Sequence, residues 1–141
     1  MDLEQQANRL VRAAMELAPV LRSYTPVKKL SEALKLWDFY QKKKSVVRRE
    51  MSEHERFFIG EAIAVTIDHT KPLWWRNASW ALFFVARGLE LATQNKLREA
   101  EKQLTFAEEE LQLGASAKAM VFARTNSLKS KRPAKRARRR R

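Results

Sequence analysis

The chain contains no cysteine and very little glycine or proline. Among its 141 residues there are no Cys, three Gly and four Pro. The missing Cys excludes disulfide frameworks, thiolate catalysis and cysteine-based zinc sites. The shortage of turn-forming residues argues against a sheet of many strands, which needs frequent tight turns. Because Ala, Leu, Glu, Lys and Arg are abundant, the composition predicts an all-α protein.

Long uncharged apolar runs are also missing. The most apolar segment, residues 73–92, contains Arg76, Arg87 and Glu90, whereas a membrane span needs about 18 consecutive apolar residues. The first fifteen residues have no basic stretch followed by an apolar run, so no secretory signal is expected. We therefore expect no membrane partner and a location in nucleus and cytoplasm.

Apolar spacing and capping residues predict a compact bundle of five to six helices. The first helix should end or kink at Pro19, and the second should begin with Thr25 as cap and Pro26 at the first helical position. A third helix should open at Ser52, which forms a capping-box pattern with Glu55. It contains the β-branched run at residues 63–67, where a strand is the alternative.

The second half of the chain predicts the centre of the bundle. Residues 73–92 carry apolar side chains on nearly all sides, which is typical of a central buried helix. A narrow apolar seam follows from Leu97 to Leu111, and Gly114 should stop that helix. We expect a last short helix at about residues 116–124. The bundle domain would then span 1–127, and residues 128–141 would form a disordered basic tail.

One stretch resembles a known helical repeat. Residues 78–111, ASWALFFVARGLELATQNKLREAEKQLTFAEEEL, look like a single tetratricopeptide-type unit. No second copy occurs at that period, so a repeat array is not expected. The resemblance implies a helix pair and no more.

Positive charge is concentrated at the C-terminal end. The formal net charge is +13, and residues 129–141 contain nine Lys or Arg and no acid. Such a segment cannot bury apolar surface, so its function must come from charge. Nuclear import, binding to nucleic-acid phosphates, or both together are the favoured interpretations.

A second basic surface is predicted on the second helix. Lys28, Lys35, Lys42 and Arg49 recur at every seventh residue, which would place them along one ridge. An ordinary solvated helix face is the alternative. The predicted nucleic-acid-binding residues are Lys28, Lys35, Lys42, Lys43, Lys44, Arg48 and Arg49 on this helix, and Lys131, Arg132, Lys135, Arg136, Arg138, Arg139, Arg140 and Arg141 on the tail.

Motifs for catalysis or for a bound cofactor are not found. His54, Glu61 and Asp68 stand at intervals of seven, but no HExxH or paired ExxH pattern occurs. There is also no glycine-rich phosphate loop or nucleophile elbow. We therefore expect no enzyme, no metal site and no cofactor.

The functional expectation is a nucleic-acid-binding protein that grips phosphates with a basic helix and an arginine-rich arm. RNA is favoured over DNA as the ligand, and the RNA could be a duplex that is recognised by its shape. Some viral suppressors of RNA silencing bind duplex RNA in this manner, as helical dimers. The alternative is a helical interaction or scaffold protein whose tail only directs import through an import receptor. The seam at Leu97, Leu104 and Leu111 leaves a homodimer open.

Overall fold

A computed structural model describes residues 3–42, 53–64 and 70–139, with side-chain positions except at 36–42, 53–58 and 125–139. Within these ranges the chain forms α-helices joined by turns and contains no strand. The all-α class is thus confirmed. The helices are α1 (Leu3–Leu17), a short 3-10 helix (Pro19–Ser23), α2 (Thr25–Lys42), α3 (Glu53–Ala64), α4 (Leu73–Thr93) and α5 (Leu97–Arg139).

The junction between α1 and α2 forms as the proline positions predict. Pro19 has no N–H to continue α1, and the chain tightens into the 3-10 helix. The N–H of Leu21 donates to the carbonyl of Ala18 at 3.0 Å. Helix α2 begins at Thr25, with Pro26 as its second residue. The predicted cap is therefore one residue too late: Tyr24 precedes the helix, and its carbonyl accepts from the N–H groups of Val27 and Lys28.

Helix α4 is the centre of the bundle, as predicted, because it packs against each of the other four α-helices. Its inward residues Ala78, Ala81, Leu82 and Val85 are fully buried. The prediction was incomplete at Trp80, which is exposed on the outer side of α4.

A tight turn joins α4 to α5 as an antiparallel pair, which confirms the expected helix hairpin. Asn95 adopts a left-handed conformation with φ of 67°, which Asn tolerates better than most residues. The N–H of Lys96 then donates to the carbonyl of Leu91 at 2.9 Å, closing the end of α4. The apolar seam of α5 begins at Ala100 rather than at Leu97, which is exposed.

The predicted stop at Gly114 is wrong, because α5 continues through it. A Cβ atom at position 114 would lie 2.6 Å from Cδ2 of Leu17 and 2.9 Å from Cβ of Asn77. Glycine is therefore required by the close approach of α5 to α1 and α4, and not by a left-handed helix end. The separate helix predicted at 116–124 is part of α5 for the same reason.

Helix α5 extends to Arg139 and so includes most of the basic tail. The sequence predicted a disordered segment from residue 128. Ala, Lys and Arg favour helix. Pro133 and the repeated like charges oppose it, since proline removes a hydrogen bond and neighbouring cations repel. The side chains beyond residue 124 lie outside the described part, and disorder of the free tail stays a prediction.

The strand alternative finds no support in the part of the run that is described. Ile63 and Ala64 are the last residues of α3, and Ile63 is fully buried. Residues 65–69 lie outside the described residues, as does Ser52 of the predicted capping box.

Candidate nucleic-acid-binding surface

An open cleft lies where the 3-10 helix meets α2. Its volume is about 260 Å³. It is lined by Met15, Arg22, Val27, Lys28, Ser31, Glu32 and Lys35. The α2 residues that face it are spaced by three and four, so they share one side of that helix. The cleft gathers three cations, one hydroxyl group and one carboxylate.

The 3-10 helix places Arg22 beside the cleft. Leu21 is buried in the core and fixes this short segment against the bundle. Arg22 follows directly and is exposed, and the N–H of Tyr24 donates to the carbonyl of Leu21 at 3.2 Å. The turn that Pro19 enforces therefore carries a guanidinium group to the side of α2.

Helix α2 places the two lysines by burying its opposite side. Val27, Leu30 and Leu34 are almost completely buried. Because helical residues at these spacings lie on one face, Lys28 and Lys35 are left on the outer side, where both are exposed. The two lysines stand seven residues apart, about 10 Å along the helix axis.

The cations of the cleft are electrostatically available. Among the side chains that the structure describes, Arg22, Lys28 and Lys35 form no ion pair; the pairs that do form there are Arg9–Glu108 and Arg87–Glu90. Nothing in that part of the protein neutralises the three charges by direct contact. An incoming anion would not have to displace an internal partner.

Two acidic residues of α5 are held by other helices. The guanidinium of Arg9 on α1 donates to Glu108 at 2.6 Å. The side-chain amide of Asn77 on α4 donates to Glu110 at 2.7 Å. These contacts hold two α5 carboxylates against α1 and α4.

Most of the predicted site residues cannot be placed. Of the predicted set, the structure brings together Lys28 and Lys35, and it adds Arg22. Lys42 belongs to α2, but its side chain is not described. Lys43, Lys44, Arg48, Arg49, Arg140 and Arg141 lie outside the described residues. Lys131, Arg132, Lys135, Arg136, Arg138 and Arg139 lie within the bounds of α5, with side chains that are not described.

A second surface feature is an exposed apolar face on α4 and α5. Phe106, Leu113 and Met120 recur at intervals of seven on α5 and are 42%, 61% and 67% exposed. Phe84 of α4 is half-buried, and its ring centroid lies 5.6 Å from that of Phe106 and 6.1 Å from that of the exposed Trp80. We call this set of five residues the exposed apolar face.

Among the described residues, no group of three His, Asp or Glu side chains lies close enough together to hold a metal ion. The side chain of His54 and all of His69 lie outside that part. Within the described part of the chain, no helix is both long enough and apolar enough to cross a membrane.

Comparison with known proteins adds no further constraint on this surface. The chain matches no protein-family model, no curated protein and no solved structure.

Proposed function

We propose that this protein binds nucleic acid, RNA in preference to DNA, through phosphate contacts from the cleft on α2 and from the basic tail. The observation that carries the proposal is the convergence of Arg22, Lys28 and Lys35 on one open cleft without an ion pair among the described side chains. Cations at such spacing suit a polyanion, because each phosphate that is neutralised releases condensed counterions.

The tail supplies the larger share of the charge. It contributes nine cations between residues 129 and 141. If each met one phosphate, the logarithm of the binding constant would fall with the logarithm of salt concentration with a slope of about −8 on duplex and about −6 on single strands. These slopes are upper bounds, since all nine side chains would have to reach the strand.

Contacts of this kind position a nucleic acid without identifying its bases. Binding would therefore depend on backbone shape, and duplex RNA is the substrate that such binding suits best. The tail would also serve as an import signal recognised by an import receptor, which would place the protein in nucleus and cytoplasm.

The exposed apolar face favours a second candidate function, that of a helical interaction or scaffold protein. Exposed apolar side chains that are grouped together mark protein-binding surfaces more often than isolated ones do. Under this alternative the body contacts a protein partner or a second copy of itself, and the tail acts in import alone.

Filter binding of duplex and single-stranded RNA and DNA across a salt series tests the proposal. Three versions of the protein are compared: the full chain, a chain ending at Ser127, and the full chain with Lys42, Lys43 and Lys44 changed to Glu. Circular dichroism confirms that each version is folded.

The outcomes separate the two functions. If the shortened chain still binds, the body contributes its own site, and loss of affinity in the triple variant assigns part of that site to residues 42–44. If shortening removes all binding, the tail alone is responsible. If the full chain binds no better than a neutral control protein near physiological salt, the scaffold function is favoured.

A further inference from the structure

The carboxylate of Glu32 is the unexpected group in the cleft. It lines the same cavity as Arg22, Lys28 and Lys35. A carboxylate is an acceptor only, and the phosphodiester groups of nucleic acid are acceptors too, so the two repel each other. A cleft for phosphate alone would be better without it.

An intrahelical role does not account for Glu32. Its spacing would allow an ion pair with Lys28 or with Lys35 on the surface of α2. The described side chains show neither pair. The carboxylate is therefore available to a hydrogen-bond donor on a ligand.

RNA carries such a donor on its backbone and DNA does not. The ribose 2′-hydroxyl both donates and accepts hydrogen bonds, and it is the group by which proteins distinguish the two polymers. An acidic side chain that accepts from a ribose hydroxyl is also an established element of dinucleotide recognition.

We propose that the cleft seats one nucleotide of an RNA backbone, with Glu32 accepting a hydrogen bond from the 2′-hydroxyl. Arg22, Lys28 and Lys35 hold the neighbouring phosphates, and Ser31 donates to a phosphate oxygen. This inference depends on the proposed nucleic-acid-binding function and makes its RNA preference a property of one side chain.

The small size of the cleft limits its occupant to about one nucleotide unit. A volume of about 260 Å³ is close to the lower limit of small-ligand pockets, roughly 300 Å³. Lys28 and Lys35 lie two helical turns apart, on either side of Glu32 along α2. The half-buried side chain of Met15 supplies apolar lining that would contact sugar carbons.

The test measures binding of labelled oligouridylate and oligodeoxyuridylate of equal length, which differ in the 2′-hydroxyl. Fluorescence anisotropy is recorded with the full chain, with Glu32→Ala and with Glu101→Ala. Glu101 is an exposed acid on α5 that does not line the cleft, so its loss changes the net charge equally. A 2′-O-methyl strand, which keeps the oxygen but cannot donate, serves as a third ligand.

We expect the unchanged protein and Glu101→Ala to prefer the ribose strand to both others. Glu32→Ala should reduce that preference about fivefold, the value of one lost hydrogen bond, without weakening binding of the deoxy strand. An equal increase in affinity for the ribose and deoxyribose strands in Glu32→Ala would overturn the inference, because the carboxylate would then act only by repelling phosphate. An unchanged ratio would also overturn it, and both results would leave the nucleic-acid-binding function intact. Failure of the unchanged protein to bind any of these strands, and to bind duplex RNA as well, would reject the function itself.

Discussion

Gly114 of α5 lies so close to Leu17 of α1 that a methyl group at position 114 would come within 2.6 Å of Cδ2 of Leu17. The same methyl group would lie 2.9 Å from Cβ of Asn77 on α4. The leucine tip can rotate away, but Cβ of Asn77 moves only with the backbone of α4. Of the three glycines, Gly114 is therefore the one most closely enclosed by neighbouring helices.

Gly114→Ala is expected to destabilise the fold by about 1–3 kcal/mol, even though alanine gains about 1 kcal/mol of helix propensity over glycine. The matched control is Gly60→Ala on α3, where the nearest atom would lie 3.8 Å from the new methyl group. That change should stabilise the protein by up to about 1 kcal/mol. Urea unfolding of both variants measures the difference, and equal effects of the two changes would contradict the close packing at 114.

The hydrogen bond between Asn77 and Glu110 connects α4 to α5 on a partly buried surface. Asn77→Ala should cost about 1–2 kcal/mol, because it leaves a half-buried carboxylate without its donor. Glu109→Gln on the exposed side of α5 should have almost no effect on stability. A double-mutant cycle with Glu110→Ala, which removes the acceptor, should give a coupling energy of about 1 kcal/mol. Additive changes in the free energy of unfolding would show that the bond does not contribute.

The tail should gain helix when it meets a polyanion. The bounds of α5 include the tail as far as Arg139. The neighbouring cations of residues 129–141 repel one another and Pro133 removes a hydrogen bond, so we expect this end of the helix to be only partly formed in the free protein. Phosphates would neutralise the charges and remove the repulsion, and arginine-rich segments often fold on binding. A peptide of residues 114–141, studied by circular dichroism with and without duplex RNA, measures this change. A peptide already fully helical in water would contradict the predicted disorder.

Removal of the tail should weaken binding most at low salt and make the remaining binding less dependent on salt. A chain ending at Ser127 loses all nine tail cations. Each lost phosphate contact reduces the steepness of the salt slope by about 1. Binding measured across a salt series should therefore become much less salt-dependent, and an unchanged slope would show that the tail does not contact phosphate.

Much of the fold could be predicted because it depends on local signals. Pro19 and Pro26 act through their own missing N–H groups, so the end of α1 and the start of α2 follow from the sequence. The burial of Leu82 and Val85 follows from the apolar character of the whole helix around them. These features require no knowledge of how the helices are arranged.

Features that depend on packing between helices could not be predicted. A glycine at a helix end and a glycine beneath a crossing helix look the same in sequence, so Gly114 was assigned to the wrong role. Trp80 and Leu97 are exposed because neighbouring helices cover other sides of α4 and α5. Arg22 was missed because the 3-10 helix, rather than a helical repeat, brings it beside Lys28 and Lys35.

Charge reversal in the cleft tests most directly whether Lys28 and Lys35 bind RNA. A variant with Lys28→Glu and Lys35→Glu is compared with one carrying Lys96→Glu and Lys102→Glu, whose exposed lysines lie outside the cleft. Both variants change the net charge equally and keep the tail, so only the position of the charge differs. RNA affinity is measured for each across a salt series.

If the lysines of the cleft bind phosphate, the cleft variant should lose at least about tenfold in RNA affinity relative to the control variant near physiological salt. Its salt slope should also become shallower by about 2. Equal affinities and equal slopes for the two variants would show that the lysines of the cleft are ordinary surface charge and do not bind RNA.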